Sequence, residues 1–110
     1  MIIVFKNRAT KGELEKVAKD LNGYIKFVVD LKKKTLTAGG KMHLEGEQVL
    51  LKDGSSQTDL WGGGYDLESG EVDFDSMINI RPNQGNTSRE ILDPTIRNDV
   101  LKIVKDLLIL

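Results

Sequence analysis

Short turns between the predicted strands constrain the fold of this chain most strongly. Apolar, β-branched or alternating runs predict strands at residues 2–5, 24–30, 34–38, 49–51, 65–67, 72–74 and 78–81. Turn signals follow several of them: Lys32-Lys33-Lys34, Asp53-Gly54 and Glu68-Ser69-Gly70-Glu71. Strands joined by turns this short must pair antiparallel, because parallel pairing needs a long crossover. We therefore expect an antiparallel sheet of about five to seven short strands.

Two segments carry helix signals. Thr10 and Glu13 match a capping box, and apolar residues at helical spacing follow, so the first helix should cover about residues 11–21. Asp93-Pro94 is an N-cap followed by proline at the first helical position. An apolar stripe follows it: Ile96, Val100, Ile103, Val104, Leu107 and Leu108. Two helices packed on one sheet give the α+β class, and 110 residues fit a single domain over 1–110.

Composition excludes several kinds of site. The chain has no Cys and one His, so disulfides, thiol nucleophiles and zinc sites with several His ligands are ruled out within one chain. Asp73 and Asp75 alternate on one strand face, but no calcium-loop pattern accompanies them. We expect no metal and no cofactor.

The charge balance and the N-terminus suggest location and partners. Sixteen Lys and Arg oppose 17 Asp and Glu, which argues against a broad electrostatic grip on nucleic acid. The apolar start meets Lys6 too early for a signal peptide, and no apolar run approaches the roughly 20 residues of a membrane span. We expect a soluble, cytoplasmic protein with no membrane and no nucleic-acid partner.

Polar residues concentrate between Asp53 and Arg89, where strands would favour apolar ones. Alternation puts Gln57, Asp59 and Trp61 on one strand face, and Asn79 and Arg81 on a face opposite Ile78 and Ile80. A guanidinium beside a carboxylate, an indole and amides can orient an anionic or planar ligand. The predicted ligand-binding residues are His43, Asp59, Trp61, Asn79, Arg81, Asn83, Gln84, Asn86, Ser88 and Arg89.

Alternatives to ligand binding stay open. The same polar residues can form a solvated sheet face with an Arg81–Asp59 pair, and the loop before Arg89 can be held by its own hydrogen bonds. The apolar tail at residues 107–110 either enters the core or meets a second subunit, which gives an interaction module or homodimer. His43 is the one group expected to titrate near neutrality, so a small hydrolase is a further hypothesis. No spaced triad supports it, and catalytic residues are unknown.

Two polar blocks also carry a resemblance. The pattern D-G-S-x-Q-x-D-L-W-G within residues 49–62, and I-N-I-R-P-x-x-G-N-x-S within residues 78–88, resemble those of an uncharacterised family of small prokaryotic proteins. Gly39-Gly40 with His43, and Asp93-Pro94, are similar to its other blocks. The likeness extends from about Tyr24 onward. Because no activity is established for that family, the resemblance implies a protein of unknown function and supplies no reaction.

Overall fold

A computed structural model describes residues 1–109 and contains a five-stranded sheet. The strands are β1 (Ile2–Phe5), β2 (Tyr24–Asp30), β3 (Thr35–Gly39), β4 (Leu60–Asp66) and β5 (Val72–Asp73). Their order across the sheet is β1-β3-β2-β4-β5, and every neighbouring pair is antiparallel. The predicted α+β class with an antiparallel sheet is confirmed, and the strand number is at the low end of the expected range.

Helices cover both faces of this sheet. They are α1 (Lys11–Ala18), α2 (His43–Lys52) and α3 (Pro94–Leu108), and a 3-10 turn at Lys19–Leu21 extends α1 to the predicted end. The large core lies between α1, α3 and the sheet face that carries Ile25, Phe27 and Val29. The other face carries Val28, which packs with Leu50 of α2. The prediction of two helices is therefore wrong by one, and the third lies on the opposite face.

Both predicted helix starts are present. The Oγ1 of Thr10 accepts from the backbone N–H of Glu13 at 3.1 Å, and the Glu13 carboxylate accepts from the backbone of Thr10 at 2.9 Å. The carboxylate of Asp93 accepts from Thr95 N at 2.8 Å, with Pro94 at the first helical position. These side chains satisfy backbone donors that have no partner inside a helix, which explains where α1 and α3 begin.

The lysine-rich turn between β2 and β3 is built on a buried carboxylate. Oδ1 of Asp30 accepts from the backbone of Lys32 and Lys33, both at 2.9 Å. Its Oδ2 accepts from the hydroxyl of Ser55 at 2.6 Å, which ties the turn to the segment after α2. Lys34 closes the turn with a left-handed φ of 56°. Ser55, in the first polar block, thus has a structural contact.

The predicted strand at residues 49–51 is wrong, because this run is the last part of α2. Glu45 caps the helix, accepting from the backbone of Met42 at 3.0 Å and of Lys41 at 3.1 Å. The buried residues of α2 include Glu47 and Leu50, whereas Leu51 is exposed. Because a polar residue is buried and leucines face solvent, the apolar residues of α2 do not repeat with the period of a helix, and the sequence pattern did not predict one.

The strands predicted within the two polar blocks, around residues 57–61 and at residues 78–81, are also partly wrong. Gln57–Asp59 is a 3-10 turn, and β4 begins only at Leu60. Met77–Asn79 is also a 3-10 turn. Asn79 at its end is fully buried, while the next residue, Ile80, is exposed. The polar side chain is therefore inside and the apolar one outside, the reverse of what a half-buried strand would show. Among residues 1–109, no helix is both long and apolar enough to cross a membrane.

The apolar C-terminal segment enters the core as far as the structure describes it. Leu107 and Leu108 are buried and Ile109 is half-buried against the same cluster. Leu110, the last residue of the predicted tail, lies outside the described residues. The backbone carbonyl of Leu107 also accepts from Ala9 N at 2.8 Å, which fixes the end of α3 to the start of the chain.

Candidate functional site

The side chain of Asn79 pairs with the edge of β4 as a neighbouring strand would. Its Oδ1 accepts from Gly62 N at 2.8 Å, and its Nδ2 donates to Gly62 O at 2.9 Å. The same Nδ2 lies 3.0 Å from the carbonyl oxygens of Phe74 and Arg89. Strand β5 pairs with β4 only farther along, so this amide covers the part of the edge that β5 leaves open. Asn79 is thus a structural residue of the sheet edge.

Asn86 organises the loop that follows. Its Nδ2 lies between 2.8 and 3.0 Å from the carbonyl oxygens of Asn79, Ser88 and Glu90. Its Oδ1 accepts from Leu92 N at 2.9 Å. The side chain is buried, and every one of these partners is backbone. The donors and acceptors of this amide are therefore used within the protein.

Arg81 connects the two polar blocks. Its guanidinium donates to the backbone carbonyls of Gln57 and Leu60 and lies 4.0 Å from the ring centroid of Trp61. Arg81 is 7% exposed, and within residues 1–109 no carboxylate lies within 4.0 Å of it. Burial lowers the pKa of Arg81, while the charge of Glu47 acts to raise it. The expected partner Asp59 is replaced by carbonyl oxygens, with a more distant buried carboxylate supplying the opposite charge.

The remaining predicted residues lie around this network. Trp61 is in the core, Asp59 is partly exposed in the turn before β4, and Asn83 is exposed. Gln84 is also exposed, and its amide donates to Thr58 O at 3.2 Å. Ser88 accepts from Glu90 N at 3.0 Å. Eight of the ten predicted ligand-binding residues thus lie in or next to the contact that Arg81 makes between the two polar blocks. The other two, His43 and Arg89, line a cleft.

That cleft is an open groove of about 590 Å³ between the start of α2, the start of β2 and the segment after β5. Its lining residues are Tyr24, Lys26, Met42, His43, Leu44, Asp75, Ser76, Met77, Ile78 and Arg89. Most of them come from segments that lie far apart in the sequence. Only the fold brings them together, so sequence patterns gave no signal for Tyr24, Lys26 or Ser76.

The triple glycine of β4 makes the close contacts beside this cleft. A Cβ on Gly64 would lie 1.7 Å from the Tyr24 hydroxyl oxygen, and one on Gly62 would lie 2.8 Å from the Oγ of Ser76. A Cβ on Gly63, on the opposite face, would lie 2.5 Å from the ring of Phe27. The glycines therefore let side chains lie flat on the strand.

His43 is held against the same strand. Its Nε2 lies 2.6 Å from Gly63 O, and because a carbonyl only accepts, Nε2 carries the proton. Burial lowers the pKa of His43 below its ordinary 6.5, and the nearby charge of Lys26 lowers it further. The imidazole is therefore neutral at pH 7, and its Nδ1 carries a lone pair. Within residues 1–109, Nδ1 makes no hydrogen bond.

The charged groups of the cleft differ in how far they are already paired. The Tyr24 hydroxyl donates to Asp73 at 2.6 Å, and burial, followed by this carboxylate, raises the pKa of Tyr24, so the phenol stays protonated. Arg89 Nε lies 3.0 Å from Asp75 Oδ1, in a pair that is about half exposed. Lys26 has no ion-pair partner in the part of the chain described. Nor do three His, Asp or Glu side chains of residues 1–109 converge to hold a metal.

Comparison with known proteins gives a family but no activity. A family model described as a protein of unknown function, DUF5674, matches residues 2–107, so the chain belongs to that family. No curated protein matches the chain. No solved structure matches it either. The predicted membership in an uncharacterised family is confirmed, and any function must be argued from the site itself.

Proposed function

We propose that the cleft binds a small organic anion that has an apolar portion. The observation that carries this proposal is the lining of the cleft, where Lys26 and Arg89 stand beside the apolar side chains of Met42, Leu44 and Met77. These three residues are 57%, 46% and 65% exposed, and together they place an apolar surface beside the two cationic side chains. Small-molecule sites are commonly clefts of about 300–1,000 Å³ with apolar walls and a few polar groups. A volume of about 590 Å³ falls in that range.

Lys26 and Arg89 both have hydrogen-bond donors that no carboxylate of residues 1–109 occupies. Lys26 lacks a carboxylate within 4.0 Å among residues 1–109, so its ammonium group is open to a ligand. Arg89 uses Nε for Asp75, which leaves both terminal nitrogens of its guanidinium for a carboxylate or phosphate. Meanwhile Asp73 already accepts the Tyr24 hydroxyl. An anion in the cleft would therefore meet free donors, while each nearby carboxylate has a partner.

The other hypotheses have less support from the geometry. For a hydrolase, a nucleophile should be hydrogen-bonded to the free Nδ1 of His43, but within residues 1–109 that nitrogen has no hydrogen-bond partner, and the hydroxyl of Ser76 accepts from Ile78 N at 3.3 Å. For a homodimer, the tail should offer a free apolar surface, but Leu107 and Leu108 are buried in the fold. Anion binding at the loop of residues 83–89 stays a prediction, as does the cytoplasmic location.

A thermal-shift titration tests the proposed function. Phenylpropionate, which joins a carboxylate to an apolar ring, should raise the melting temperature by mass action, because stabilisation is about 2.7 kcal/mol at a hundredfold excess over the dissociation constant. Lys26→Met should weaken this shift at least several-fold. Lys105→Met removes an equal charge from an exposed position on α3, on the opposite sheet face, and should leave the shift intact. Shifts that are equal in the two variants, or absent in the wild type, would contradict the proposal.

A further inference from the structure

The orientation of the His43 ring divides its two nitrogens between protein and ligand. The Cδ2–Nε2 edge of the ring lies on β4: Nε2 is bound to Gly63 O, and Cδ2 is 3.1 Å from where a Cβ on Gly62 would be. Nδ1 is on the opposite edge of an imidazole and has no partner in residues 1–109. Since the ring lines the cleft, Nδ1 is the nitrogen that remains for a bound molecule.

We infer that His43 Nδ1 accepts a hydrogen bond from the ligand, so that the cleft selects anions with a hydroxyl or N–H donor beside the anionic group. This inference rests on the proposed function, in which Lys26 binds the anionic group. Lys26 and His43 line the same cleft, so an acid group and a neighbouring donor on one ligand can be held by the two residues together. The preferred ligand class is therefore a hydroxy or amino acid derivative with an apolar substituent.

Because His43 is the single His of the chain, its tautomer can be measured without assignment ambiguity. NMR of the ring nitrogens at pH 7 should show a proton on Nε2 and none on Nδ1, in the protein without ligand. A proton on Nδ1 would overturn the inference directly, because that nitrogen could then only donate. This measurement does not depend on finding the ligand.

Two matched acids test the selection itself. Phenyllactate is phenylpropionate with a hydroxyl next to the carboxylate, so it adds one donor at similar size. One net hydrogen bond should make phenyllactate bind the wild type about threefold to tenfold more tightly.

Two variants separate the two nitrogens. Glutamine places an amide nitrogen where Nε2 lies and can still donate to Gly63 O, but it has no acceptor at the Nδ1 position. Asparagine places an oxygen near Nδ1 and does not reach Gly63. His43→Gln should therefore lose the preference for phenyllactate, and His43→Asn should keep most of it.

Each outcome bears on a different claim. Equal binding of the two acids by the wild type, with both weakened by Lys26→Met, would overturn the donor inference and leave the anion site standing. Failure of both acids to bind would overturn both claims. If His43→Gln does not fold, a preference retained in His43→Asn and the Nε2–H tautomer together still support the inference. Loss of the preference in His43→Asn would then count against it.

Discussion

Replacing Asn79 tests whether its side chain holds the open edge of β4. In Asn79→Ala the N–H and C=O of Gly62 lose their partners on a buried strand edge, and the carbonyls of Phe74 and Arg89 lose the same donor. A buried backbone group left without a partner costs about 1–3 kcal/mol. Some of these groups will find water, so we expect a total loss of about 3–5 kcal/mol. That is a large share of the roughly 5–15 kcal/mol that stabilises a typical domain.

The assay is urea unfolding followed by the fluorescence of Trp61, the one Trp of the chain. Asn79→Asp keeps the acceptor for Gly62 N but turns the donating amide into a second acceptor against carbonyl oxygens, so it should cost at least as much as the alanine variant. Asn83→Ala changes the same residue type at an exposed site, where the side chain makes no hydrogen bond within residues 1–109, and should stay within about 0.5 kcal/mol of the wild type. A loss below about 1 kcal/mol in Asn79→Ala would mean that the Asn79 side chain does not hold the open edge of β4.

Three further changes have defined outcomes. Val100→Asp places an unpaired charge in the core under α3 and should cost several kcal/mol in urea unfolding, whereas Asp99→Asn on the exposed side should be nearly neutral. Gly64→Ala puts a methyl group into the space of the Tyr24 hydroxyl and should cost about 1–3 kcal/mol by overpacking; a neutral result would mean that the ring moves aside freely. Because the folded state favours neutral His43, lowering the pH through 6.5 protonates the unfolded chain first, so stability should fall until the lower folded-state pKa is passed. In His43→Gln this part of the pH dependence should be missing.

Local side-chain rules predicted the starts of α1 and α3 and much of the sheet. The caps at Thr10 and Asp93 act within two or three residues, so the sequence alone identifies them. Alternating apolar residues likewise predicted β2. Helix α2 was missed because Glu47 is buried and Leu51 is exposed, which only the packing of the whole fold decides.

The candidate site could be predicted only in part. Polarity suggested that Asn79 and Arg81 were open to a ligand, but the amide of Asn79 and the terminal guanidinium nitrogens of Arg81 are hydrogen-bonded to backbone groups. Both side chains are therefore buried, although Nε of Arg81 has no hydrogen-bond partner within residues 1–109. His43 and Arg89 were predicted as binding residues without a cleft to hold them. No sequence pattern pointed to Lys26, because its place in the same cleft as His43 depends on pairing between strands that are distant in sequence.

Mapping of NMR chemical-shift changes during titration with phenylpropionate shows where the acid binds. We expect the changes to cluster at the ring of His43 and at the backbone of Lys26 and Ser76, with little effect at residues 83–88. Changes centred on residues 83–88 would place the ligand on the loop between the polar blocks. That result, or the absence of any change at saturating acid, would contradict the assignment of the cleft as the binding site.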